Sequence, residues 1–109
     1  MRFSTAAGAY EIDSLPSQPQ VANCHGFFIH YEMRGMGHAH QLKRHQMFSL
    51  KTLGYDFATC TVCSNNTAQK QVLERAGWSR LGGFTSSKTG DPVDLWGVAI
   101  QRSDIGCQI

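Results

Sequence analysis

The turn Arg34-Gly35-Met36-Gly37 constrains this chain more than any other feature. Residues 21–31 ahead of it are rich in Phe27, Phe28 and Ile29 and read as a buried strand. Residues 38–53 behind it read as a helix. Ala39, Leu42, Leu50 and Leu53 fall within about 60° on a helical wheel, with Gln46 inside the same stripe. Gly54 stands where a helix-terminating glycine belongs. Two glycines between strand and helix let the backbone turn tightly and approach a ligand with no Cβ in the way. The free N–H groups of the helix start then favour an anion such as a pyrophosphate. The turn is not the dinucleotide fingerprint, because His40 stands where a third glycine is needed, and it lacks the Gly-Lys-Ser/Thr ending of a P-loop.

The remaining elements fall around this unit. Residues 5–15, with Ala9, Tyr10 and Ile12, read as a strand, and residues 16–20 as a loop because Pro16 and Pro19 remove donors. Residues 57–63 form the next strand. Asn66 is a helix N-cap with Gln69 at the capping-box position, which predicts a helix over 67–76 closed by Gly77. Its apolar stripe is Ala68, Val72 and Ala76. Residues 78–85 and 94–101 read as a hairpin about the polar turn 86–92. The order β-β-α-β-α-β-β predicts an α/β fold with a mixed β-sheet and flanking helices. At 109 residues, with 41% apolar and 17% charged side chains, the chain is expected to form a single globular domain over 1–109.

Several function classes drop out. A net charge of +2 without a basic cluster argues against nucleic acid as a partner. No apolar run approaches the ~20 residues of a membrane span, and Ser4 and Thr5 interrupt the start, so a soluble, cytoplasmic protein without a membrane partner is expected. Cys24, Cys60, Cys63 and Cys107 read as free thiols. Cys60 and Cys63 lie three apart on a strand and so point to opposite faces, against a zinc or redox pair. His38, His40 and His45 read as a polar helix face, His25 and His30 lie in another segment, and no metal site is expected.

With these motifs in place, residues 21–101 resemble the GNAT superfamily of acyl-CoA-dependent N-acetyltransferases. The family turn Gln/Arg-x-x-Gly-x-Gly/Ala is matched by Arg34, Gly37 and Ala39, with Gly35 supplying the common Arg-Gly-x-Gly variant. Residues 27–32 are similar to the strand that runs into that turn. Residues 63–68 followed by Leu73-Glu74-Arg75-Ala76-Gly77-Trp78 are similar to the family's Asn…Leu/Tyr-Glu-Lys-x-Gly-Phe segment.

The resemblance implies two parallel strands that splay apart around the pantetheine arm of acetyl-CoA. Phe28 and Ile29 would offer backbone hydrogen bonds to that arm. Arg34, Gly35, Met36, Gly37, His38 and Ala39 would hold the pyrophosphate through their amides, and Asn66 would stand near the pantetheine from the other side. The function implied is transfer of an acetyl group from acetyl-CoA to an amine acceptor; the alternative is a non-catalytic GNAT-fold module with a vestigial cofactor cleft. Two departures bear on this choice. The helices that wall the acceptor groove in the family have no counterpart ahead of residue 5, and Leu73 stands at the position of a proton-donating Tyr. Glu32 is the acidic residue nearest the turn, yet no general base is assignable. Acceptor specificity falls to the N-terminal segment and the 86–92 turn. An open sheet edge at 5–15 together with Phe48, which points away from the helix stripe, predicts a homodimer.

Overall fold

The computed structural model describes residues 1–101; Cys107 lies outside them. Six strands form one sheet in the order β1-β2-β3-β4-β6-β5: β1 Arg2–Ser4, β2 Gly8–Leu15, β3 Gln18–Ile29, β4 Phe57–Cys63, β5 Ser79–Thr85 and β6 Pro92–Ala99. Helix α1 spans His38–Thr52 and α2 spans Thr67–Arg75. All neighbouring strands are antiparallel except β3 and β4, which run parallel because α1 carries the chain back between them. The mixed sheet and flanking helices agree with the α/β order expected from sequence.

Both helices lie on one face of the sheet, where Tyr10, Ile12, Ala22, Cys24, Leu42, Leu50, Leu73 and Trp96 form the buried core. Strand alternation puts Phe57, Thr59, Thr61 and Cys63 on the opposite face, which carries no helix among the described residues. Cys60 is buried and Cys63 exposed, as the three-residue spacing requires. None of the helices is long and apolar enough to cross a membrane.

Four local expectations are corrected. The prolines at 16 and 19 do not make a loop over 16–20. The turn is only Pro16-Ser17, and β3 already begins at Gln18. Pro19 is tolerated because the register slips between Ser14↔Ala22 and Leu15↔Gln18, leaving its missing N–H without a ladder position to fill. The edge at 5–15 is not open either: β1 pairs with β2 from Arg2↔Glu11 to Ser4↔Ala9, so the free edge is a three-residue strand. In α1 the buried face is Leu42, Lys43, Gln46, Ser49 and Leu50, while Leu53 leaves the helix as its C-cap and is exposed. In α2, Ala68 is exposed and Leu73 takes the core position beside Val72.

Candidate functional site

Pairing between β3 and β4 stops early. Only Val21↔Phe57, Ala22↔Ala58 and Asn23↔Thr59 are in register, and beyond them the two strands separate. The cause lies in β3. Its register with β2 slips between Ala9↔Phe28 and Glu11↔His25, so that Gly26 and Phe27 together oppose Tyr10. This β-bulge needs a left-handed residue, which Gly26 supplies at φ 64°. The extra residue inverts the alternation. Before the bulge, Ala22 and Cys24 face the helices; after it, Phe27 and Ile29 do.

Backbone groups invert with the side chains. Thr59 Oγ1 donates to the Ala22 carbonyl at 3.1 Å, so even-numbered residues face β4 ahead of the bulge. His30 donates its amide to Ala7, on the β2 side, so beyond the bulge the odd-numbered residues Phe27 and Ile29 face the gap. Of the two residues the motif pointed to, Ile29 is therefore at the gap and Phe28 is not. Phe28 pairs with Ala9, and its ring lies beside His30 and Arg2. Phe27 takes its place. The signal available in the sequence was Gly26, a glycine inside an apolar strand run.

The space between the parted strands is a cleft of about 290 Å³, lined on the strand side by Cys24, Gly26, Phe27 and Cys60 and on the helix side by Lys43, Gln46, Asn66 and Gln69. Beyond the end of β3 stands one 3-10 turn, Tyr31–Met33, then the glycine turn. Gly35 and Gly37 hold φ 79° and 81°, values that L side chains rarely adopt, and a Cβ on either would meet no neighbouring atom. Their requirement is conformational rather than steric. Gly37 is the N-cap of α1, and no side chain caps that helix, so the first-turn amides of His38 and Ala39 have no side-chain acceptor there. The first turn also lacks an acidic residue, which leaves the helix dipole uncompensated.

Arg34 does not point at this helix start. Its Nε donates to the Ile29 carbonyl at 3.0 Å, and its guanidinium lies 5.8 Å from the centre of the Tyr31 ring. It braces the turn against the strand. Met36 projects outward and is exposed. Asn66 accepts from the Gln69 amide through Oδ1 at 3.1 Å, as the capping pattern predicts, and lines the cleft as well. Of the residues the motifs pointed to, Asn66 lines the cleft; Ile29 ends β3, and the glycine turn follows it in the chain without lining the cleft.

Other polar groups sort clearly. Leu73 is fully buried in the core. His45 is exposed on α1, and its Nδ1 lies 2.6 Å from the Tyr10 hydroxyl, which also bonds Ser49 Oγ at 2.8 Å. Among the described residues no group of His, Cys, Asp and Glu could hold a metal ion. On the helix-free face, His25 lines the cleft and its Nε2 lies 2.6 Å from Asp13 Oδ2. The amino group of Met1 and His25 together hold the Asp13 carboxyl below its ordinary pKa. Sequence reading missed this dyad because the two residues are joined only by β2–β3 pairing.

No protein-family model matches the chain, and no curated protein matches it in sequence. Solved structures do match its fold. The ribosomal-protein-S18-alanine N-acetyltransferase of Escherichia coli superposes with a TM-score of 0.75 at 12% identity, over 94% of this chain and 70% of that one. A spermidine N-acetyltransferase of Vibrio cholerae, solved with CoA and spermine, gives 0.75 at 18% identity over 86% of this chain and 58% of that one. A GNAT-family acetyltransferase of Streptococcus pneumoniae gives 0.74 at 16% identity over 87% and 60%. The chain therefore spans about three fifths of the length of the last two. Its fold is that of the GNAT acetyltransferases.

Proposed function

We propose that the cleft between β3 and β4 binds acetyl-CoA and that the protein transfers the acetyl group to an amine. The observation that carries this reading is the bulge-driven parting of two parallel strands, β3 leading on through the glycine turn to an uncapped helix start. The pantetheine arm would run between the strands and accept from the Ile29 amide. The pyrophosphate would take the amides of residues 35–39, where both the free N–H groups and the helix dipole favour an anion.

In the reaction a neutral amine attacks the thioester carbon, the acyl–sulfur bond breaks, and the thiolate leaves. The Phe27 amide polarises the carbonyl as an oxyanion donor. The amine approaches from the helix-free face, where His25 stands, oriented by Asp13, to take the proton that the amine loses on attack. Leu73 can donate no proton to the thiolate, so solvent serves that step.

Calorimetry with acetyl-CoA tests the binding half, and no heat at about 100 µM ligand overturns it. Thiol release over a panel of amines, peptides and aminoglycosides tests the chemistry. Binding without release across the panel supports the non-catalytic module. If His25 is the base, His25→Ala lowers turnover by about 100-fold and leaves acetyl-CoA affinity unchanged.

The proposed working unit is a homodimer formed through α1. Phe48 is 69% exposed and borders a groove lined by Met47, Ala76, Val98 and Ile100. Light scattering at micromolar concentration reads this directly: a 12 kDa species rules the dimer out.

A further inference from the structure

The helix side of the cleft holds a buried lysine. Lys43 is 2% exposed, yet among the described residues no carboxylate pairs with it. Its Nζ donates to Gln46 Oε1 at 2.7 Å and lies 4.4 Å from the centre of the Phe27 ring and 4.9 Å from that of Trp78. These aromatic faces soften the cost of burying an ammonium but do not neutralise it. The ionisable neighbours are thiols. Burial pushes Cys24 up to about 12 and raises Cys60 as well, so neither is an anion near neutrality. Burial lowers the Lys43 pKa for the same reason.

A second donor waits beside it. Gln46 is fully buried and lines the same cleft, and its Nε2 has no hydrogen-bond partner. An unpaired amide N–H₂ in a dry site is costly, and buried donors of this kind are normally satisfied. Lys43 and Gln46 thus place side by side in one cleft an amine that no carboxylate among the described residues neutralises and an amide donor without an acceptor.

We infer that Lys43 and Gln46 form a carboxylate site on the helix side of the cleft, and that beside the acetyl group the protein takes, and binds more tightly, an acyl group ending in a carboxylate, such as a succinyl group. This deepens the function proposed above and rests on its thioester-binding reading. A terminal carboxylate would accept from both donors in a low-dielectric site, where charge-assisted bonds are strongest.

The experiment compares succinyl-CoA, acetyl-CoA and free CoA by calorimetry, with succinyl- and acetyl-pantetheine thioesters as arms lacking the nucleotide. The expected result is succinyl over acetyl by about tenfold in both pairs. Lys43→Met is expected to erase the preference. Gln46→Glu, which installs a counter-ion inside the protein, is expected to erase it too while raising Tm; it guards against a Lys43 variant that fails to fold. Equal affinity for the two acyl groups in the wild type overturns the carboxylate site. A preference that survives both substitutions overturns it equally. If no CoA species binds, the cofactor reading falls, and the pantetheine pair still decides the carboxylate site by itself.

Discussion

The two helices of this protein begin in opposite ways. The start of α2 is closed by the protein's own groups. Asn66 caps it, Lys70 donates to the Ser64 carbonyl at 2.7 Å, and Ser64 Oγ donates to Asp94 at 2.7 Å. Arg80 and Lys70 complete the set around Asp94 at 3.2 and 3.4 Å. The start of α1 has none of this: a glycine N-cap, no side-chain acceptor and no acidic residue in its first turn. Helix starts carry free N–H groups that must find acceptors somewhere. Where the protein supplies the acceptor, the end is structural. Where it supplies only a glycine turn, the end is left for the ligand proposed above.

The sharpest way to break this contrast is Gly37→Val. The substitution forces a β-branched residue to φ 81°, so the turn must change shape and the α1 amides lose their alignment. CoA binding is expected to disappear from the calorimeter while far-UV dichroism shows helix content nearly intact. Wild-type affinity in this variant would make the turn only a turn.

Asp94→Asn attacks the other helix start. A large fall in Tm is expected near neutral pH with CoA affinity retained. The Ser64 hydrogen bond, and after it Arg80 and Lys70, hold this carboxyl below its ordinary pKa. Its contribution is therefore complete above the unfolded-state pKa and is lost as pH falls through the lower folded value. Thermal melts of wild type and variant are expected to converge in acid; a gap that persists there would mean that charge is not the cause.

Asn66→Ala sharpens the comparison further. Loss of the cap is expected to cost about 1 kcal/mol in a denaturant titration. A larger loss of CoA affinity than of stability would give Asn66 a direct role at the cofactor. The smallest effect is expected from Arg34→Ala, about threefold in affinity, because its Nε is spent on the Ile29 carbonyl. A hundredfold loss would show that the guanidinium swings onto the phosphates.

The local signals carried far in this chain. Periodicity, caps and glycines placed both helices within two residues and located the glycine turn between β3 and α1, because these features depend on neighbours along the chain. The Arg34–Ala39 motif and Asn66 were legible for the same reason. What the sequence could not express was pairing. The bulge at Gly26 exists only against Tyr10, and it moves the cleft-facing backbone from Phe28 to Phe27. The His25–Asp13 dyad exists only through the β2–β3 hairpin. A strand edge that looked open is covered by β1, three residues too short to announce themselves. Lys43 shows the limit most plainly: on a helical wheel a lysine beside the apolar stripe reads as solvated, and only the packing of α1 over Phe27 and Trp78 decides that it is buried. Periodicity reports which face of an element turns inward, but which atoms meet there is settled by register and packing between elements distant in sequence.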